Sequence, residues 1–71
     1  MSGSETIEVN GTSRLLTLRT LAELLESLGH GGTASGIAVA VNGEVVRRAA
    51  WGERRLHGGD RVEIVGAVQG G

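Results

Sequence analysis

Hydrophobic and polar positions alternate from Thr6 to Val9, with Ile7 and Val9 on one side and Thr6 and Glu8 on the other. That period of two predicts a half-buried strand. Asn10-Gly11 follows, the strongest short-range hairpin signal, so Thr12 to Leu18 is expected to return as an antiparallel neighbour. The period then changes. Leu21, Leu24, Leu25 and Leu28 stand at i, i+3, i+4 and i+7 and predict one apolar stripe on a helix over Thr20 to Leu28. Thr20 and Glu23 have capping-box spacing, and Gly29 suits the left-handed position just past the helix end. After a loop of small residues, Ile37 to Val41 reads IAVAV, a continuous apolar run that suggests a strand buried on both faces. Asn42-Gly43 is a second hairpin signal, with Glu44 to Arg48 as the return strand. Ala49 to Arg55 reads as irregular or as a short helical turn holding Trp51. Gly58-Gly59-Asp60 reads as a turn, and Arg61 to Val65 alternates again as a last strand.

The order ββαββ, an irregular piece, then β places the chain in the α+β class. One helix cannot cover two faces of a sheet, so the leucine stripe is expected across one face of a mixed sheet. The expected core is Ile7, Val9, Leu21, Leu24, Leu25, Leu28, Val39, Val41, Val62 and Ile64. Residues 1–5 read as a flexible N-terminus, 6–65 as the domain, and 66–71 as a C-terminal tail with no strand left to join.

Composition narrows what such a domain can do. The chain has 71 residues. A domain of that size buries only about 60% of the surface its unfolded chain exposes, which leaves little room for an enclosed active site. The formal net charge is -1, which gives no global field toward nucleic acid or membrane. All seven basic residues are Arg, so Schiff-base and phosphate-loop lysines are excluded. There is no Cys, hence no disulfide, thiolate metal site or cysteine nucleophile. No apolar stretch approaches the roughly 20 residues of a membrane span, and no signal peptide is visible. The expectation is a cytoplasmic protein that is a monomer when free and not an enzyme.

The tail Gly66-Ala67-Val68-Gln69-Gly70-Gly71 is the leading candidate site. Extended, six residues reach roughly 20 Å, enough to thread a carboxylate into another protein's active site. Glycine suits a narrow passage because it has no side chain. A terminal carboxylate is an anion at neutral pH and resists nucleophiles until activated. An acyl-adenylate made from ATP is one route, after which sulfur can displace AMP and leave a thiocarboxylate. The chain lacks groups to hold ATP, so a partner would have to perform the activation.

Other motifs carry less. Gly29-His30-Gly31-Gly32-Thr33-Ala34 matches GxGxxA but follows a helix, whereas the dinucleotide fingerprint follows a strand. Asn10-Gly11-Thr12 matches a glycosylation sequon but reads as a hairpin turn. His30 and His57 lie in Gly-rich loops without nearby ligand partners, so no metal site is expected. Asp60, the sole Asp, is assigned a turn role. Arg47, Arg48, Arg54 and Arg55 form a basic cluster that reads as a solvated face, with a docking patch for an acidic surface as the alternative. Trp51 is expected as a partly buried cap over the small core.

Several segments carry a resemblance. They are Ile7-Glu8-Val9-Asn10-Gly11, Thr20-Leu21-Ala22-Glu23-Leu24-Leu25 and Val41-Asn42-Gly43-Glu44-Val45-Val46. The most specific is Gly59-Asp60-Arg61-Val62-Glu63-Ile64-Val65 running into Ala67-Val68-Gln69-Gly70-Gly71. Together with Trp51 they resemble the ThiS family, ubiquitin-like β-grasp sulfur carriers of thiamine biosynthesis, over about residues 6–71. The resemblance implies that a ThiF-type adenylyltransferase activates the Gly71 carboxylate with ATP. It implies that sulfur drawn from cysteine by a desulfurase makes the thiocarboxylate, and that a ThiG-type thiazole synthase accepts the tail. No cofactor is expected on the chain itself. Two positions depart from the family pattern: Arg47 stands where Pro is frequent, and Gly58 where Asp is common. Carriers for molybdopterin, cysteine or tRNA thiolation share the fold and remain the alternative, as does a β-grasp interaction module with an inert tail.

Overall fold

The computed structural model describes residues 5–30 and 36–66. Strands β1 (Thr6–Val9) and β2 (Thr12–Leu15) form the first hairpin. Helix α1 spans Leu21–Ser27, and β3 (Ile37–Val41) with β4 (Glu44–Val45) forms the second hairpin. A 3-10 turn over Arg48–Ala50 precedes β5 (Arg61–Gly66). The five strands form one sheet in the order β2-β1-β5-β3-β4. The last strand is therefore central, parallel to β1 and antiparallel to β3.

Local chemistry explains the helix ends. Thr20 Oγ1 accepts from Glu23 N, and Glu23 Oε1 accepts from Thr20 N, closing the expected capping box. The next orphan donors find main-chain partners: Leu21 N donates to Arg54 O and Ala22 N to Trp51 O. At the other end Gly29 N donates to Glu26 O and His30 N to Leu25 O, with Gly29 at φ 92. That pair of bonds is a Schellman stop, which needs the left-handed residue that glycine supplies.

The core is Ile7 and Val9 from β1, Leu21, Leu24 and Leu25 from α1, Val39 and Val41 from β3, Val62 from β5, and Trp51 and Leu56 from the connection before β5. Leu28 and Ile64, expected in the core, are half-buried and pack against it. Leu56 was not anticipated, because an isolated leucine in an irregular stretch shows no period. Trp51 is deeper than a partial cap, at 7% exposure, and its Nε1 donates to Val46 O at 2.9 Å.

Four expectations shift. β2 stops at Leu15 because the chain must leave the sheet to reach the helix, and Leu16 and Leu18 turn inward instead. β4 stops at Val45, where the chain bends into the 3-10 turn. β3 is buried on one face only: Val39 and Val41 face the helix while Ala38 lies exposed on the other side. The apolar run reflects small alanines on an open face rather than a second covering layer. β5 continues one residue further than expected, to Gly66, which pairs with Ile37.

Gly58 has a reason in this chain. A Cβ there would come within 3.0 Å of Glu5 Cβ and of its carboxyl Oε1. The aspartate that the resemblance puts at this position would crowd Glu5, which would have to shift, and would bring two carboxylates near each other.

Candidate functional site

The candidate site begins where β5 ends. Of the tail residues named from the sequence, Gly66 lies on β5, and Ala67, Val68, Gln69, Gly70 and Gly71 lie outside the described residues. What the structure defines is the root. On the β3 side, Ile64, Val65 and Gly66 pair with Val39, Ala38 and Ile37. On the β1 side, Glu8 N donates to Asp60 O at 2.9 Å and Asn10 N to Val62 O at 2.9 Å. The main chain of β1 then turns away at Asn10, φ 49, and Gly11, φ 86. The Asn10 side chain supplies the next rung: Oδ1 accepts from Ile64 N at 2.8 Å and Nδ2 donates to Ile64 O at 3.2 Å.

The start of β5 is held by the second hairpin in a related way. Asn42, φ 54, donates its main-chain N–H to Arg61 O at 2.8 Å, and its Oδ1 accepts from Arg61 N at 2.9 Å. Its Nδ2 donates to Asp60 Oδ1 at 3.0 Å, and the other carboxylate oxygen accepts from His57 N at 2.9 Å. Asp60 is the buried charged residue of the described core, at 8% exposure. Burial pushes its carboxyl up. The bonds from Asn42 and from the His57 N–H, with the nearby Arg54 and His57 side chains, outweigh that and leave it below its ordinary value. The expected turn role of Asp60 is thus right in kind, but the carboxylate also anchors the entry to the central strand.

The two faces at the root differ. One face carries α1. On the other, Glu8 and Arg61 pair across β1 and β5 at 3.5 Å. Beside them Val65 stands opposite Ala38, and Val45 opposite Ala40. Val65 and Val45 are 63% and 72% exposed, so an apolar strip, interrupted by the exposed Glu63 opposite Ala40, crosses the open face from the tail root. Sequence reasoning did not single out this strip, although the alternation that buries Val62 also puts Val65 outside.

The arginine cluster lies elsewhere. Arg47, Arg48 and Arg55 are exposed and Arg54 half-buried. Arg54 meets the N-terminal end of α1 through its carbonyl. The tail root borders the other end of the helix, at a solvent-open groove floored by Leu28, Ile37 and Ile64. No group of three or more His, Asp or Glu side chains suited to a metal ion occurs among the described residues. His57 Nδ1 stands 3.9 Å from Asp60 Oδ2 on the surface turn, and His30 is half-buried beside the groove.

A mixed five-stranded sheet with one helix across a face and the last strand at its centre is a ubiquitin-like β-grasp domain. The ThiS family model matches residues 5–71. The chain is 40% identical over 63 residues to the sulfur carrier protein ThiS of Thermus thermophilus, covering 89% of this chain and 95% of that protein. The crystal structure of the thiamine biosynthesis protein ThiS from Geobacter metallireducens superposes with a TM-score of 0.76 at 30% identity. That match covers 93% of this chain and 99% of the other. The chain belongs to the ThiS family. No helix among the described residues is long and apolar enough to cross a membrane.

Proposed function

We propose that this protein is a sulfur carrier of thiamine biosynthesis that works through the carboxylate of Gly71. The carrying observation is the family match, which runs through residue 71 and so includes the diglycine beyond the central strand. The related Thermus protein is named a sulfur carrier. The chain acts as substrate and not as enzyme. A ThiF-type adenylyltransferase joins a carboxylate oxygen of Gly71 to the α-phosphorus of ATP and releases pyrophosphate. The terminal sulfur of a persulfide, formed from cysteine by a desulfurase, then attacks the carbonyl carbon and expels AMP to give an acyl disulfide. A thiol attacks the outer sulfur of that disulfide, is itself oxidised to a disulfide and releases the sulfur on Gly71. The resulting thiocarboxylate is delivered to a ThiG-type thiazole synthase. ATP is the partner's substrate, and the carrier holds no cofactor.

Physical features support this reading. A carboxylate needs an activating group before a nucleophile can displace its oxygen, and an extended small-residue arm can bring it to that group. Residues Gly66, Ala67, Val68, Gln69, Gly70 and Gly71 form this arm in the proposal, Gly66 being its root on β5. The exposed Val65 and Val45 give an enzyme that accepts the tail an apolar surface beside its root.

The test is an intact-mass measurement after incubation with a ThiF-type enzyme, ATP and a sulfur source. A gain equal to the mass difference between sulfur and oxygen supports the carrier. No gain, while an established carrier is converted in parallel, sinks it. Deleting Gly71 is expected to abolish the gain and leave the circular dichroism spectrum unchanged. Rescue of growth in a strain lacking its thiamine sulfur carrier separates this pathway from molybdopterin, cysteine or tRNA thiolation.

A further inference from the structure

Parallel pairing of β1 with β5 uses Asp60 O, Val62 O and then Ile64 O as successive acceptors. The first two are met by main-chain donors of Glu8 and Asn10. The third is met by a side chain, because β1 has already turned. Asn10 also accepts from Ile64 N, so one amide replaces a whole residue of missing strand. The site is 54 residues away along the chain and two residues before Gly66. Without that amide, the two polar groups of Ile64 on this side would have only water. The last residues of β5 would then be held by β3 alone, as at a sheet edge.

We infer that Asn10 is a positioning residue for tail transfer: it clamps the end of β5 at Ile64, so that the strand leading to Gly66 is held in one orientation. This rests on the sulfur-carrier reading above. An enzyme that threads the arm must immobilise its root. A root already fixed on both sides spares that ordering, whereas a loose root adds it to binding. Asn10 makes its bonds at Ile64, far along the chain from the carboxylate of Gly71. Its effect therefore falls on formation of the productive complex and not on the chemical step, so KM changes and kcat does not.

Asn42 provides the matched control. It occupies the same turn position with the same positive φ and also bonds β5, but at Arg61, the end away from the tail. Asn10→Gly and Asn42→Gly each keep a residue that accepts positive φ, delete the side-chain amide and add the same backbone freedom, so comparing the two cancels the last effect. Adenylation kinetics are measured with the full chain as the varied substrate, together with amide hydrogen exchange. Asn10→Gly is expected to raise KM about three- to tenfold at unchanged kcat, and to accelerate exchange of the Ile64 amide. Asn42→Gly is expected to lower stability yet leave KM unchanged. An unchanged KM in Asn10→Gly overturns the inference, as does an equal rise in Asn42→Gly, which would make the effect one of general stability. If the wild-type chain is not adenylated while an established carrier is, the sulfur-carrier reading fails and the inference falls with it. A wild-type chain that reacts normally beside an unaffected Asn10→Gly overturns the inference alone.

Discussion

The two Asn-Gly hairpins use one dipeptide and one turn geometry for different ends. Asn10-Gly11 and Asn42-Gly43 have φ values of 49 and 86 against 54 and 83. Both asparagines reach the central strand. Asn10 grips only main chain at Ile64, in an exposed position, whereas Asn42 also bonds the buried carboxylate of Asp60. The second hairpin is tied to the core again through Val46, whose carbonyl accepts from Trp51 Nε1. One hairpin therefore serves the tail root and the other serves the body of the domain. Identical local signals acquire unequal roles from what lies across the sheet.

The largest expected effect is on the second hairpin. Trp51→Ala removes the sole aromatic from the core and should cost about 3–5 kcal/mol, read by urea denaturation. Trp51→Phe keeps most of the apolar volume but leaves Val46 O without its donor, at about 1 kcal/mol. Equal loosening of both hairpins by exchange in Trp51→Phe would break the contrast.

Charge substitution comes next. Asn42→Asp sets a second carboxylate against Asp60 and should cost about 2–3 kcal/mol at neutral pH. Asn10→Asp keeps an acceptor for Ile64 N and loses one donor, at about 1 kcal/mol. The pH response sharpens the difference. In the folded chain the Asp60 carboxyl lies below its ordinary 3.8. Its stabilising contribution is therefore complete above that value and is lost as the pH falls through the lowered folded value. Denaturation of the wild-type protein down through this window should show the loss, and Asp60→Asn should lack it. An identical acid slope in both proteins would contradict the anchoring role of Asp60.

Gly11→Ala and Gly43→Ala should cost nearly the same, about 1 kcal/mol each. Both glycines have positive φ, and a Cβ at either would meet open space, so only backbone strain is tested. A large inequality would mean that the turns themselves differ. The smallest effect expected is Arg47→Pro. Arg47 has φ -67, the angle proline favours, and its N–H donates to no acceptor among the described residues. The proline that the resemblance puts at this position should therefore stabilise by about 0.4–1 kcal/mol, visible as a raised Tm.

Much of this architecture is legible in the chain because the signals act over short range. Alternation at Ile7 and Val9 marks β1, the leucine spacing marks α1, and Thr20, Glu23 and Gly29 mark its ends. Leu56 and the depth of Trp51 were not legible, since burial there depends on a connection with no period. The sequence offers Gly70-Gly71 as the candidate site, which lies outside the described residues, whereas the Asn10 bonds to Ile64 at the end of β5 have no local signal.

The sequence by itself determined the order of elements, both turns and the helix caps, because each depends on backbone preferences of a few neighbouring residues. Tertiary structure alone decided that the last strand is central and that one face of β3 stays open. It also decided that Asn10 bonds Ile64, and that Asp60 is buried with its donors in place. These outcomes join groups far apart in the chain. Which side-chain amide meets which unpaired strand group follows from sheet order and register, and no local pattern specifies either.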